Sequence, residues 1–420
     1  MRTLFTASLM VASICALTPF ATQAQGQQGA LPEGAGKSAV EAVCTGCHRT
    51  NEITQSSGYT RDGWKELTST MINLSPSPDT ENAILDYLAQ KFPPNYNKRA
   101  AKLVSGPLEV AFKEWVMPTL GQRSRDPIQA EDGTIWWVGQ FGNLMGRLDP
   151  RTGGMKEYPL PPNAFPHTVE LDPKGNPWYT GNKNGSVGRL DPATGKITEY
   201  KLPDPNAKDP HTLVFNREGI AFFTLQNSNM VGRLNPETGD IKLITSPVND
   251  SKPYGIKVAA DGSIWWACNG APCLFKMDPA SMELKEYKLP LGGTTVRRLD
   301  LAEDGMIWYV NSGKGRIGRL DPKTGQATEW DSPSGPRSHP YAIVVMNGGV
   351  WYNESGVRPD PLVRFDIKTE TFQSWPIPSG SIYAGIWRHG RATREGNLLI
   401  HQTSTNRIIQ VTPRQKAASR

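Results

Sequence analysis

The sequence predicts a mainly β chain, a seven-bladed β-propeller with a small all-α domain at its N-terminus. Three observations predict it. A Gly-Arg-Leu-Asp-Pro unit recurs at intervals of 42 to 46 residues, the period of a four-stranded propeller blade. An aromatic final-strand motif occurs seven times. Ahead of both, apolar residues follow helical rather than alternating spacing. At 420 residues the chain exceeds what one core organises. Its 41 glycines and 35 prolines suit many short strands joined by tight turns.

The chain begins as a secretory signal: Arg2, an apolar run from Leu4 to Phe20, and Thr22-Gln23-Ala24 with small residues flanking a cut after Ala24. A retained anchor is the alternative, although the run is short and interrupted by Ser and Thr. Cleavage would leave a periplasmic protein without a membrane span, in an oxidising compartment that suits the remaining Cys44, Cys47, Cys268 and Cys273. A net charge of +6 without a dense basic run does not point to nucleic acid. The organisation expected is signal 1–24, linker 25–35, helical domain 36–96, linker 97–106, propeller 107–413 and tail 414–420.

In the helical domain, Cys44-Thr45-Gly46-Cys47-His48 has the spacing of covalent haem c attachment. Two thioethers fix the porphyrin edge and the adjacent histidine supplies an axial nitrogen to iron. A redox-active dithiol or half a zinc site would share the spacing, but no second Cys/His cluster lies nearby. A helix from Gly36 presents Val40 and Val43 on one stripe. A second, Thr80 to Phe92, aligns Ile84, Tyr87, Leu88 and Phe92, and a third amphipathic piece, Arg61 to Leu74, holds Trp64, Leu67 and Met71. This layout resembles small class I cytochromes c over about 60 residues. Met71 is the only methionine between the signal and Met117 and is the candidate sixth iron ligand, a core methionine being the alternative.

In the repeat, Gly-Arg-Leu-Asp-Pro stands at Gly146–Pro150, Gly188–Pro192, Gly232–Pro236 and Gly318–Pro322, with degenerate copies at Phe275, Val363 and Ile409. The final-strand motif first appears at Phe112-Lys113-Glu114-Trp115, before any complete blade. It should therefore pair with the last strands, closing the ring and removing sheet edges. The start of each first strand and the hairpin after each second strand share one side of the disc. Counting back from the turn glycines places Arg125, His167, His211, Tyr254, Arg297, Tyr341 and Tyr383 around that channel mouth, with Asn311 and Glu354 on the same rim. Such groups donate protons or hold an anionic or phenolic ligand, or else cap inner strands. Cys268 and Cys273 flank an Asn-Gly-Ala-Pro hairpin and suit a disulfide.

The unit Trp…Ile-Gly-Arg-Leu-Asp-Pro-x-Thr-Gly…Glu-Tyr-x-Leu-Pro, with Pro-His or Pro-Tyr opening the inner strand, resembles the virginiamycin B (streptogramin) lyase family over about 300 residues. The resemblance implies a seven-bladed propeller and magnesium-assisted carbon–oxygen elimination, with a Glu three residues after a blade tryptophan and a His two further on. Those first positions hold Gly139, Gly181, Leu225, Cys268, Asn311, Glu354 and Gln402. Only Glu354 matches, and Gly356 stands at the histidine place.

Three functions follow as expectations. The first is a haem-linked oxidoreductase whose propeller mouth binds a small molecule, His167, His211, Tyr254, Arg297, Tyr341 and Glu354 being its candidate catalytic groups. The second is a lyase using Mg2+. The third is a scaffold docking the haem domain on a redox partner protein or electron acceptor.

Overall fold

A computed structural model describes residues 30–56, 58–96, 99–289, 292, 295–381 and 387–416. Residues 1–24, expected to form a signal, and Tyr383 lie outside these. Seven four-stranded antiparallel sheets form the blades. The first complete blade runs from Ser124–Gln129 to Met155–Pro159. The seventh combines Leu108–Val116 with Arg391–Ala392, Leu398–Gln402 and Arg407–Gln415. Its closure is an uninterrupted antiparallel register from Leu108 opposite Gln415 to Val116 opposite Arg407, so two distant segments of the chain share one sheet. This last strand runs to Gln415, two residues past the expected boundary, because Leu108 and Glu109 continue the ladder.

The repeat motif has a packing cause. In blade 1, Trp137 of the second strand lies opposite Gly146 of the third, and a Cβ on that glycine would fall inside the indole. Tyr179 covers Gly188, Phe223 covers Gly232 and Tyr309 covers Gly318 in the same way. The neighbouring arginine turns outward over an aromatic ring: Arg147 lies 5.7 Å from Trp136 and Arg319 5.7 Å from Trp308. The aspartate that follows folds the turn. Asp149 Oδ1 accepts the N–H of Arg151, and Gly153 reaches a φ of 76° that suits only glycine.

Each inner strand of blades 1 to 6 carries a register shift near its start, for example between Pro166 and Val169 and between Pro340 and Ile343. These bulges fall on the candidate mouth residues and aim their side chains at the axis instead of into the ladder.

Among the described residues, four helices precede the propeller: α1 (Lys37–Cys44), α2 (Thr50–Thr54), α3 (Arg61–Ser69) and α4 (Pro78–Lys91). Leu31, Val40, Trp64, Leu67, Ile84, Leu85, Leu88 and Phe92 form their core. Gly36 caps α1 at φ 86° and touches Ala83, so α1 and α4 cross in close contact. Leu31, assigned to a linker from sequence, is buried in this core, and Pro32 accepts a bond of 2.6 Å from the Tyr87 hydroxyl. Helix α3 stops at Ser69, so Met71 stands in the loop that follows rather than on the helix, and α2 is an element that apolar spacing did not reveal. The linker is likewise fixed to the propeller: Arg358 donates its N–H to Arg99, Lys102 donates to Ser334, and Val104 and Ser374 bond reciprocally.

Candidate functional site

The helical unit docks on the propeller through the loop bearing Met71. Gly121 donates its N–H to Thr70 at 3.1 Å, and its φ of 61° lets the backbones approach closely. Between the two units lies a cavity of 480 Å³. From the helical side it is lined by Cys44, Cys47, His48 and Met71 together with apolar Val43, Ile72, Leu74 and Ile84. From the propeller side Gly121, Arg123, Phe141, Thr403 and Ser404 close it. Both thiols are unpaired. The N–H groups of Cys47 and His48 both turn back to the Cys44 carbonyl, which brings the motif into one tight bend. Burial pushes the Cys44 thiol up to about 11, so it stays protonated rather than acting as a free nucleophile. Glu52 sits 3.4 Å from His48 Nδ1, which orients the ring.

On the same side of the disc, the channel mouth gathers the expected inner-strand residues. The rings of His167 and His211 are 3.5 Å apart at their centroids, and those of His211 and Tyr254 are 4.0 Å apart. Tyr254 and Tyr341 meet hydroxyl to hydroxyl at 2.5 Å. Arg297 and Arg388 point Nη1 at the Tyr341 oxygen from 3.4 and 3.3 Å. Arg125 is buried and donates to Gln140 at 2.8 Å.

Electrostatics divides these groups by charge. Burial opposes ionisation of Tyr341, but Arg297 and Arg388 overcome it and bring the phenol down to about 6. Burial and the charge of Tyr341 push Tyr254 up instead. His167 and His211 are held well below the usual histidine range by burial and by Arg125 and Arg298, so both are neutral. Asp126 is fully buried, yet His389 and Arg125 hold its carboxyl well below the ordinary value.

Several of these residues escaped the sequence reading. Arg123, Asp126, Arg298, Arg388, His389 and His401 all belong to the cluster. His389 Nδ1 lies 3.0 Å from Asp126, and the Asp126 N–H donates to His401 at 2.9 Å. One signal was available. Arg388 stands eight residues before Gly396, the interval that separates Arg125 from Gly133, so blade 7 presents Arg388 at the place first given to Tyr383.

Glu354 and Asn311 are corrected. Both are fully buried: Glu354 faces the connection between blades 5 and 6, and Asn311 faces the fourth strand of its own blade. Glu354 accepts from Ser332 Oγ at 2.6 Å and the Ser334 N–H at 2.8 Å, while Asn311 donates to Glu329 at 3.1 Å. They occupy the last position of a second strand, where pleating turns the side chain toward the neighbouring turn. Cys268 and Cys273 form the expected disulfide across their hairpin, with Cα atoms 5.5 Å apart.

These donors do not suit Mg2+. Among the described residues no group of three carboxylate, histidine or cysteine side chains converges to hold a metal. The guanidiniums at the mouth would repel a cation, and hydrogen bonds already engage the Glu354 carboxylate.

No curated protein matches the chain. Among solved structures, a streptogramin B lyase is 24% identical with a TM-score of 0.66, over 73% of this chain and 98% of that one. A virginiamycin B lyase from Staphylococcus aureus is 22% identical with a TM-score of 0.65, over 72% and 99%. A hydrazine synthase from Kuenenia stuttgartiensis is 14% identical with a TM-score of 0.56, over 71% and 97%. At such identities the likeness is one of fold. The model of the virginiamycin B lyase family matches residues 110–382, most of the propeller, and the chain therefore belongs to the virginiamycin B lyase family.

Proposed function

We propose that this chain is an exported electron-transfer protein in which Cys44 and Cys47 would attach haem c, His48 and Met71 would ligate its iron, and the propeller mouth would bind the small molecule that exchanges electrons. The observation that carries it is the shared cavity, which brings both motif cysteines, the adjacent histidine and the one candidate methionine to a common wall. When bound, haem c supplies reversible one-electron exchange.

The chain's own residues do the rest. Glu52 takes a hydrogen bond from His48 Nδ1 and leaves Nε2 as the ligating nitrogen. The Gly121–Thr70 bond holds the Met71 loop against the propeller. Val43, Ile72, Leu74 and Ile84 exclude water, while Arg49 and Arg123 offer guanidinium groups to the haem carboxylates. Arg123 also senses the charges of Arg125 and Arg388, which links the cavity wall to the channel mouth. The lyase reading receives no such support from Glu354, for the reasons given above.

The test is expression of the full chain with a haem-attachment system in an exporting host. Covalent haem, retained after denaturation and lost in Cys44→Ala/Cys47→Ala, is expected. A colourless protein with the mass of the bare polypeptide would overturn the proposal.

A further inference from the structure

The channel mouth holds more positive charge than the residues around it balance. Arg123, Arg125, Arg297, Arg298 and Arg388 converge there. Against them stand Asp126, the acidic phenol of Tyr341, and Glu52 reaching Arg123 and Arg388 from the helical unit. Neutral His167 and His211 add no charge.

Hydrogen bonding is incomplete at the same place. Arg125 and Arg298 are each 2% exposed. Arg125 uses only Nη1, toward Gln140, and leaves buried Nε and Nη2 without a partner. Arg298 donates Nε to the Arg388 carbonyl at 2.6 Å and Nη1 to Thr212 at 3.5 Å, and leaves Nη2 without a partner. Nε of Arg297, Nε of Arg388 and Nδ1 of His167 are buried and unpartnered as well. Buried guanidinium N–H groups are ordinarily all satisfied, so a cluster of orphans in a cationic site calls for an acceptor.

We propose that the channel mouth is a binding site for a small oxyanion, carboxylate or inorganic, held between Arg125 and Arg298 with Arg297 and Arg388 at its rim. A planar guanidinium offers paired N–H donors that match two oxygens of one anion. The His167, His211 and Tyr254 rings, in close tilted contact, wall the site on one side. The half-buried Arg297 and Arg388 leave the way to solvent. Of the five arginines only Arg123 lines the haem cavity, so this site is separate from the one for haem carboxylates. The inference deepens the electron-transfer reading by naming the class of ligand, and rests on it only for what the ligand is used for.

The test titrates sulfate and malonate into the full-length holoprotein at constant ionic strength set with chloride, read by calorimetry and thermal shift. The Cys44→Ser/Cys47→Ser chain is run beside it. Saturable binding in both forms is expected, weakened by roughly tenfold or more in Arg298→Gln and restored in part by Arg298→Lys. Preference for malonate assigns the site to carboxylates, and preference for sulfate to inorganic oxyanions; either supports the site. Arg125→Gln gives the same reading if Arg298→Gln fails to fold. Two results would overturn the proposal: no saturation with either probe, or binding seen in the haem-free chain alone, which would give the arginines to the haem carboxylates. An unsubstituted chain that acquires no haem from the attachment system yet still binds anion would sink the electron-transfer reading and leave this one standing.

Discussion

Tyr254 and Tyr341 come from inner strands two blades apart, and their hydroxyl oxygens meet 2.5 Å apart across the channel mouth. Either oxygen can donate to the other, and Arg297 and Arg388 draw Tyr341 toward its anion. The contact ties blades 4 and 6 together across the mouth, and the charge there follows from which phenol keeps the proton.

Tyr341 should accordingly ionise with a pKa of about 6. An ultraviolet titration of the native protein should show one tyrosinate appearing well below the ordinary tyrosine range, absent in Tyr341→Phe. Because the unfolded phenol ionises near 10, this group adds stability as pH rises from 6 toward 10 and loses it as pH falls through 6. A native protein with no tyrosinate at about pH 8 would contradict this.

Acid should destabilise the protein through the buried histidines. His167, His211 and His389 are pushed well below 6.5 by burial, and His401 to about 3. Between those values and 6.5 the unfolded chain binds more protons than the native one. Stability is therefore complete above 6.5 and lost as pH falls, by up to about 1.4 kcal/mol per pH unit for each histidine. Thermal melts between pH 7 and 5 check this, and a flat profile would refute it.

Met71→Ala in the haem-loaded protein should leave the haem covalently attached but alter its axial ligation. A lower reduction potential and loss of the thioether–iron band are the expected readouts. An unchanged spectrum would place Met71 in the core only.

Glu354→Ala should act on stability and not on the mouth. It leaves Ser332 and the Ser334 N–H without their acceptor, a cost of about 2 kcal/mol. The melting temperature should drop by several degrees, with the Tyr341 titration unmoved.

Cys268→Ala/Cys273→Ala should cost about 2 kcal/mol, since the loop closed by the bridge spans a sequence separation of 5. Denaturant midpoints with and without reductant in the native protein give the same comparison.

The blade count, the closing strand and the inner-strand positions were legible in the sequence because each repeat solves the same packing problem with the same residues. The ring of Trp137 needs a glycine opposite it, and the Asp149 turn needs Gly153. Glu354 was misplaced because a residue count gives a position along a strand but not the neighbour its carboxylate meets. Ser332 and Ser334, on a connection between blades, decide that. Arg298 and Asp126 were missed because each follows a mouth residue by one position, where a regular strand would turn it away. The bulges between Val296 and Leu299 and between Arg125 and Ile128 undo that alternation.

The sequence by itself determined the toroid and the Cys-x-x-Cys-His motif, since both depend on local spacing: a blade period, and two cysteines and a histidine within one bend. Only the tertiary structure decided that the propeller closes the cavity beside those cysteines and that five arginines share a single mouth. Charges separated by hundreds of residues interact through distance in space, and ring closure sets that distance.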